Sequence, residues 1–304
     1  MTKQEELQLA KQYFEEGEKL TEKVKYKESI EVLEKTSAIY ERWEKWEKWV
    51  EANNLKGRNL CNLGEYNTGI EFLEEVLKTG KIYLEENNIQ IAQSWNNLAI
   101  CHWYKGDYNP TIAYLQTAYK IRKTCGDDIK VAESLSNLGV CYEDKGEYEL
   151  AISTHHEALA IFQKYYDSND LRINNALENM AACYQDIGDY DQAISIYYKA
   201  STILNLHLDN THPRIASNLA NLSTCFSQKG DYELALDYSI KSLQIREALW
   251  GNNHPKLIDS IINLGRRYYV INNYASALKY FQRANTLYTN CIDKNHFERG
   301  RLLT

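Results

Sequence analysis

Proline is nearly missing from this chain, three in 304 residues, and glycine is sparse at fourteen. That leaves too little turn chemistry for a protein of many short strands. No apolar run approaches the roughly 20 residues that a membrane-crossing helix needs. The opening segment, Met1 to Leu20, is charged where a secretion signal would be apolar. A basic excess is missing too. The formal net charge is −7, so nucleic acid and anionic membranes, which select a basic face, are not expected partners. Neither a glycine-rich phosphate loop nor a His-Glu-x-x-His helix occurs. The sequence therefore predicts no cofactor, no metal and no catalysis, and a cytoplasmic protein that works by binding.

Tyrosine, in contrast, is abundant at 24, and its placement gives the reason. Gly64-Glu65-Tyr66, Gly106-Asp107-Tyr108, Gly146-Glu147-Tyr148, Gly188-Asp189-Tyr190, Gly230-Asp231-Tyr232 and the worn copy Asn272-Asn273-Tyr274 recur with a period of about 42 residues. A fixed period of that length marks a solenoid, in which each repeat buries its apolar face only against its neighbours. Glycine permits the left-handed residue that ends one helix, and the tyrosine opens the next. Small residues follow on one face of that second helix: Ala151, Ala193, Ala235 and Ala277, then Ala118, Ala158, Ala200, Ser242 and Ala284. Opposite them the first helices offer Leu98, Leu138, Met180, Leu222 and Leu264.

The spacing predicts first helices over Gln90–Lys105, Ile129–Lys145, Leu171–Ile187, Pro213–Lys229 and Pro255–Ile271. Second helices are predicted over Tyr66–Glu86, Tyr108–Lys123, Tyr148–Tyr166, Tyr190–His207, Tyr232–Trp250 and Tyr274–Cys291. Thr211-His212-Pro213 and Asn253-His254-Pro255 place proline in the first helical turn, where its missing N–H costs nothing. Asp127-Asp128 and Ser168-Asn169-Asp170 serve as polar caps elsewhere. Tyr26 to Val50 is expected as one long helix, the second of a degenerate first repeat. Trp43, Trp46, Trp49 and Val50 share a face of it, for packing or for an exposed aromatic contact.

These features divide the chain into residues 1–50, a capping helix and degenerate repeat, 51–293, the regular array, and 294–304. The last stretch begins a further junction at Asn295-His296-Phe297, either a cap or the start of another repeat.

The pattern Asn-Leu-Ala/Gly, an aromatic residue, Gly-Asp/Glu-Tyr and then alanine resembles the tetratricopeptide repeat. The long period and the His-Pro junctions are similar to its kinesin-light-chain type. The resemblance implies an all-α fold: an α-solenoid, a right-handed superhelix of stacked antiparallel helix pairs, with about six regular units and the degenerate one before them. It also implies a concave surface lined by the first helices.

Residues thirteen, nine, six and two before each turn share one helical face. They read Gln93, Asn97, Ile100, Tyr104; Glu133, Asn137, Val140, Asp144; Asn175, Asn179, Ala182, Asp186; Ser217, Asn221, Thr224, Gln228; and Asp259, Asn263, Arg266, Val270. The second of each set is always asparagine: Asn97, Asn137, Asn179, Asn221 and Asn263. An amide donates and accepts, so this ladder could pair with the backbone of an extended peptide. Equally, it could bond neighbouring helices. Asn54, ten residues before Gly64 rather than nine, breaks the register.

Glu133, Asp144 and Asp186 make the middle of the face acidic and favour a ligand with basic residues, while Arg266 lies towards its far end. The expected role is a scaffold for a protein or peptide, as a monomer or with weak self-association through either end of the array. A sensor region of a larger protein, with an effector domain after residue 304, is the alternative. Cys101, Cys141, Cys183 and Cys225 each stand five residues before a turn glycine. Copies of one position are expected about 20 Å apart in a stack of paired helix layers, which exceeds the ~7 Å limit for a bridge. They are read as unbridged packing residues. His212, His254 and His296 fall at junctions and His155 at a packing site, so none is read as a ligand.

Overall fold

The computed structural model describes the backbone of residues 1–294 and side chains through residue 290; the expectation for 295–304 lies outside the described residues. Among these residues there are only helices, arranged as consecutive pairs. The pairs are α1 (Lys3–Glu22) with α2 (Tyr26–Arg42), α3 (Trp46–Asn62) with α4 (Tyr66–Tyr83), and α5 (Ile89–Tyr104) with α6 (Tyr108–Cys125). Next come α7 (Asp128–Asp144) with α8 (Tyr148–Tyr165) and α9 (Leu171–Asp186) with α10 (Tyr190–His207). The last are α11 (Pro213–Gln228) with α12 (Tyr232–Trp250) and α13 (Ile258–Val270) with α14 (Tyr274–Lys294). The chain forms two compact units, Met1–Ile161 and Phe162–Thr304.

The turn chemistry works as the sequence predicts. Gly64, Gly106, Gly146, Gly188 and Gly230 all have φ between 79° and 86°. Asn272 at φ 61° takes the same role in the worn copy, being one of the few side chains that tolerate this region. Between repeats, His212 and His254 act as helix caps: each Nδ1 accepts the backbone N–H two residues on, at 3.2 Å, with proline between. They are joints in the chain. No helix among the described residues is long and apolar enough to cross a membrane.

Two expectations are corrected. The stretch from Tyr26 to Val50 is not one helix. It breaks at Trp43-Glu44-Lys45, with Glu44 in the left-handed region at φ 52°, and α3 begins at Trp46. Trp46 and Trp49 therefore belong to a first helix, and Trp46 stacks on Tyr83 of α4 at 3.8 Å between centroids. A complete helix pair thus precedes α3, and the repeated architecture starts at the first helix of the chain.

The cysteine expectation fails at one position. Cys61 and Cys101 form a disulfide, with Cα atoms 5.7 Å apart. The first helices α3 and α5 pack directly on one another, so equivalent surfaces of adjacent repeats lie one helix diameter apart, about 8–10 Å between axes, rather than two layers. Cys61 also stands three residues before its turn instead of five, and this offset brings it against Cys101. Gly69 leaves the space: a Cβ there would collide with the Cys61 sulfur. Cys141, Cys183 and Cys225 are buried and not disulfide-bonded, as expected. Burial pushes the Cys141 thiol up to about 12 and that of Cys225 to about 11, so neither is a nucleophile near neutral pH.

Within every pair but that of α11 and α12, one recurring contact sets the helix separation. The residue seven before the turn is small, and a large side chain sixteen positions later packs over it. Gly57 meets Leu73, Gly139 meets the His155 ring, and Gly265 meets Phe281; a Cβ on any of these glycines would overlap its partner. His155 thus fills a slot that is apolar in most repeats, and it is fully buried with neither ring nitrogen hydrogen-bonded. Burial, helped by the neighbouring His156, lowers its pKa to about 4.

Two predictions follow from these contacts. Because the folded pKa of His155 lies below its unfolded value, the unfolded state binds the extra proton. The associated stability is present above pH 6.5 and lost on acidification, about 2 kcal/mol by pH 5 and about 3 kcal/mol below pH 4. His155→Leu should remove that loss, seen as urea midpoints that differ little from wild type at pH 7 and exceed it at pH 5. For the disulfide, a closed loop of 40 residues corresponds to about 4 kcal/mol. Dithiothreitol should lower the urea midpoint of the oxidised protein and leave Cys61→Ser unmoved; an unmoved wild type would show that the thiols are unbridged in solution.

Candidate functional site

The face predicted to line the groove stays accessible along most of its length. In the first unit, Ile100, Asn137 and Val140 are half-buried and Tyr104 is exposed. These four residues, from two different helices, converge on one recess between α5 and α7. Thr111 and Leu115 of α6 form its floor, with Cys141 and Trp103 beside them. The recess encloses about 300 Å³ and is mainly apolar, at the lower end of the range for small-ligand pockets. That volume suits one apolar or aromatic side chain. Asn137 places an amide at its edge. At the rim the Trp103 indole N–H donates to Asp144 Oδ2 at 2.5 Å, which fixes the ring and leaves the carboxylate at the opening. Glu133, the other acidic residue expected here, pairs with Lys130 at 2.9 Å, so its charge is largely balanced.

The asparagines do not form a uniform ladder. Asn97 is only 2% exposed. Its Nδ2 donates to the Asn54 carbonyl at 2.9 Å and its Oδ1 accepts from Gln93 Nε2 at 2.8 Å. Asn97 therefore ties α5 to α3 and is too buried to offer its amide to a ligand. Asn54, displaced by one residue, is buried in that joint and bonds the Gln90 carbonyl and Ser94. Asn137 is half-buried and donates to Asn96 Oδ1 at 3.1 Å. In the second unit Asn179 and Asn221 are half-buried and Asn263 is exposed.

Behind the face runs a second row of polar residues that the sequence reading missed. Arg122 of α6 is 1% exposed. Its guanidinium donates to Gln93 Oε1 at 2.8 Å, Ser134 Oγ at 2.7 Å and the Lys130 carbonyl at 3.2 Å, joining α5 to α7. Burial lowers its pKa, opposed by the charges of Glu133 and Asp127. Gln93 passes the contact on to Asn97.

The second unit repeats this construction at the same positions. Arg246 of α12 donates to Ser260 Oγ of α13 at 2.5 Å and to Ser217 Oγ of α11 at 3.3 Å. The signal was present in the sequence: Arg122 and Arg246 each stand sixteen residues after a turn glycine, and Ser134 and Ser260 each twelve before a turn.

Elsewhere on this unit, Arg214 donates to Asn175 Oδ1 at 2.5 Å and to Glu178 at 2.7 Å, so Asn175, though exposed, has its oxygen engaged. Desolvation raises the pKa of Asp186, and Arg266 is exposed. The structure brings together Glu133, Asn137 and Asp144 on α7 and places Asn175, Asn179 and Asp186 on α9, Asn221 on α11, and Asn263 and Arg266 on α13.

The Arg122 staple makes a checkable claim. Arg122→Ala removes three hydrogen bonds and leaves a void, for a loss of about 3 kcal/mol. Arg122→Met, which refills the space without the charge, should recover much of it. Urea unfolding of the two variants measures the difference; equal losses would assign the role of Arg122 to its hydrogen bonds alone.

Comparison with known proteins agrees with this geometry. A family model described as tetratricopeptide repeat matches residues 50–124, 130–205, 172–248 and 214–290. Comparison with curated protein sequences finds no match. Among solved structures, the apo form of RapI is similar over 92% of this chain and 76% of its own, with 17% identity and a TM-score of 0.72. A Rap protein complexed with Competence and Sporulation Factor is similar over 98% of this chain and 81% of its own, with 16% identity and a TM-score of 0.64. The nearly identical TPR-like repeats of a Podosopora anserina putative kinesin light chain align over 66% of this chain and 96% of theirs, with 17% identity and a TM-score of 0.58. At such identities the likeness is one of fold. Four matches of one repeat model, over most of a chain built from paired helices with the same turn in repeat after repeat, establish that the protein belongs to the tetratricopeptide repeat family.

Proposed function

We propose that this protein is a non-catalytic, cytoplasmic scaffold that holds an extended peptide segment of a protein partner against the face of its first helices. The observation that carries this reading is the recess between α5 and α7. Four residues assigned to the face by repeat position alone, Ile100, Tyr104, Asn137 and Val140, close around one apolar hollow. An apolar side chain placed there would bury its surface, while Asn137 offers its amide to the ligand backbone. Asp144 at the rim favours a lysine or arginine next to that anchor.

Asn179, Asn221 and Asn263 are the remaining amides available to a backbone, with Asn175, Asp186 and Arg266 around them. Asn97 acts as a strut. A protein of this fold complexed with Competence and Sporulation Factor is consistent with a ligand-holding role.

Selection from a random peptide library on the full chain tests the proposal. Enriched sequences should share an aromatic or aliphatic residue beside a basic one. Val140→Trp, which fills the recess, should weaken the selected peptides at least tenfold, and Asn137→Ala several-fold, by isothermal titration. Peptides that bind both variants as tightly as wild type would place the site elsewhere.

A further inference from the structure

In the second unit the close contact that separates paired helices is missing once. Sixteen residues after the small residue of each first helix stands Leu73, Leu115, His155, Tyr197 or Phe281, but in the repeat of α11 and α12 the pair is Ser223 and Ser239. Two serines cannot fill the slot, and a recess opens between α11, α12 and α13. Two arginines border it. Arg267 of α13 donates from Nε to Ser223 Oγ at 3.2 Å and from a terminal nitrogen to Thr224 Oγ1 at 3.1 Å. Arg246 enters from α12 and is held by Ser260 and Ser217.

Every one of these acceptors is a neutral hydroxyl. Ser223 and Thr224 already donate their own hydrogens to the carbonyls of Ala235 and Ala220, so towards the arginines they can only accept. Among the described residues neither arginine is in an ion pair. Asp259 acts on Arg246 only at longer range, and the charge nearest in kind to Arg267 is Arg266, which repels it. The equivalent Arg122 is closed off from solvent and accepted by the carbonyl oxygen of Gln93. Its counterpart in the second unit remains half-buried at an open recess. Two partly desolvated positive charges with no acid beside them leave unused N–H donors and a positive local field that favours an anion.

We infer that this recess is an oxyanion site, in which Arg246 and Arg267 receive a carboxylate or phosphate group with Ser239, Ser260 and Asn263 lining the same hollow. The recess itself holds about 20 Å³, little more than one water-sized group. One ligand oxygen enters it and the rest of the group stays in the opening. The site is independent of the apolar recess between α5 and α7.

Titration of the full chain with sodium phosphate and, separately, sodium acetate, at ionic strength held constant with sodium chloride, tests the assignment by the shift in Tm. At least one anion should raise Tm along a saturating curve, and which of them does so distinguishes phosphate from carboxylate. Ser239→Leu restores the side chain found at Leu115, fills the recess while keeping both arginines in the chain, and should abolish the shift. Arg267→Gln should weaken it at least tenfold, with helicity checked for both by circular dichroism. Val140→Trp should leave it intact. A saturating shift in neither anion, or one that Ser239→Leu and Arg267→Gln both retain, overturns the inference.

Discussion

The distance between paired helices depends on a single repeated contact: a residue with little or no side chain on the first helix, covered by a large one on the second. At Gly57, Gly139 and Gly265 there is no room for even a Cβ. Such an approach puts the helices close enough that leucines on one and alanines on the other complete a dense layer, and the stack then adds pair upon pair. The contact is demanding about volume and tolerant about chemistry. It accepts leucine, phenylalanine and even an unpaired histidine at 155, at the expense of a proton-linked weakness. It does not accept serine against serine, and there the layer opens.

A polar layer lies directly behind that apolar one. Arg122 reaches from a second helix to two first helices, and Gln93 carries the connection to Asn97 and the backbone of Asn54. These bonds fix the relation between adjacent repeats in the first unit, and the disulfide between Cys61 and Cys101 reinforces the joint of α3 with α5. The consequence for binding is that rigidity and recognition draw on the same residue types. Asn97, buried and bonded on both sides of its amide, cannot read a ligand. Asn137 gives one hydrogen bond to Asn96 and stays half-buried at the recess, with amide capacity to spare.

The two units differ in the charge they leave unbalanced. On the first, Asp144 stays at the edge of an apolar hollow while Glu133 is paired. On the second, Arg246 and Arg267 face a hollow lined by hydroxyls. The two recesses share part of their repeat positions, with Thr224, Ser239, Asn263 and Arg267 standing where the first has Ile100, Leu115, Asn137 and Cys141. Substitution at a few packing positions, rather than insertion of new loops, is enough to make that difference.

The helices, their turns and the exposed face were legible in the sequence because each depends on residues within one repeat: a glycine in a left-handed turn, a proline after a capping histidine, a 4-3-4 spacing along one helix. Reading Tyr26 to Val50 as a single helix failed where the turn carries glutamate at 44, a residue that adopts that backbone without advertising it. What only the tertiary structure decided lies between repeats. Contacts between residues 29 to 43 positions apart determine that Cys61 meets Cys101 and that Asn97 is spent on Asn54. They also determine that Arg122 finds the oxygen of Gln93 and that two arginines of the second unit find no acid. Spacing along one helix fixes a side chain's direction, whereas its partner depends on the separation and offset of neighbouring helices, which the packing of every core residue sets together.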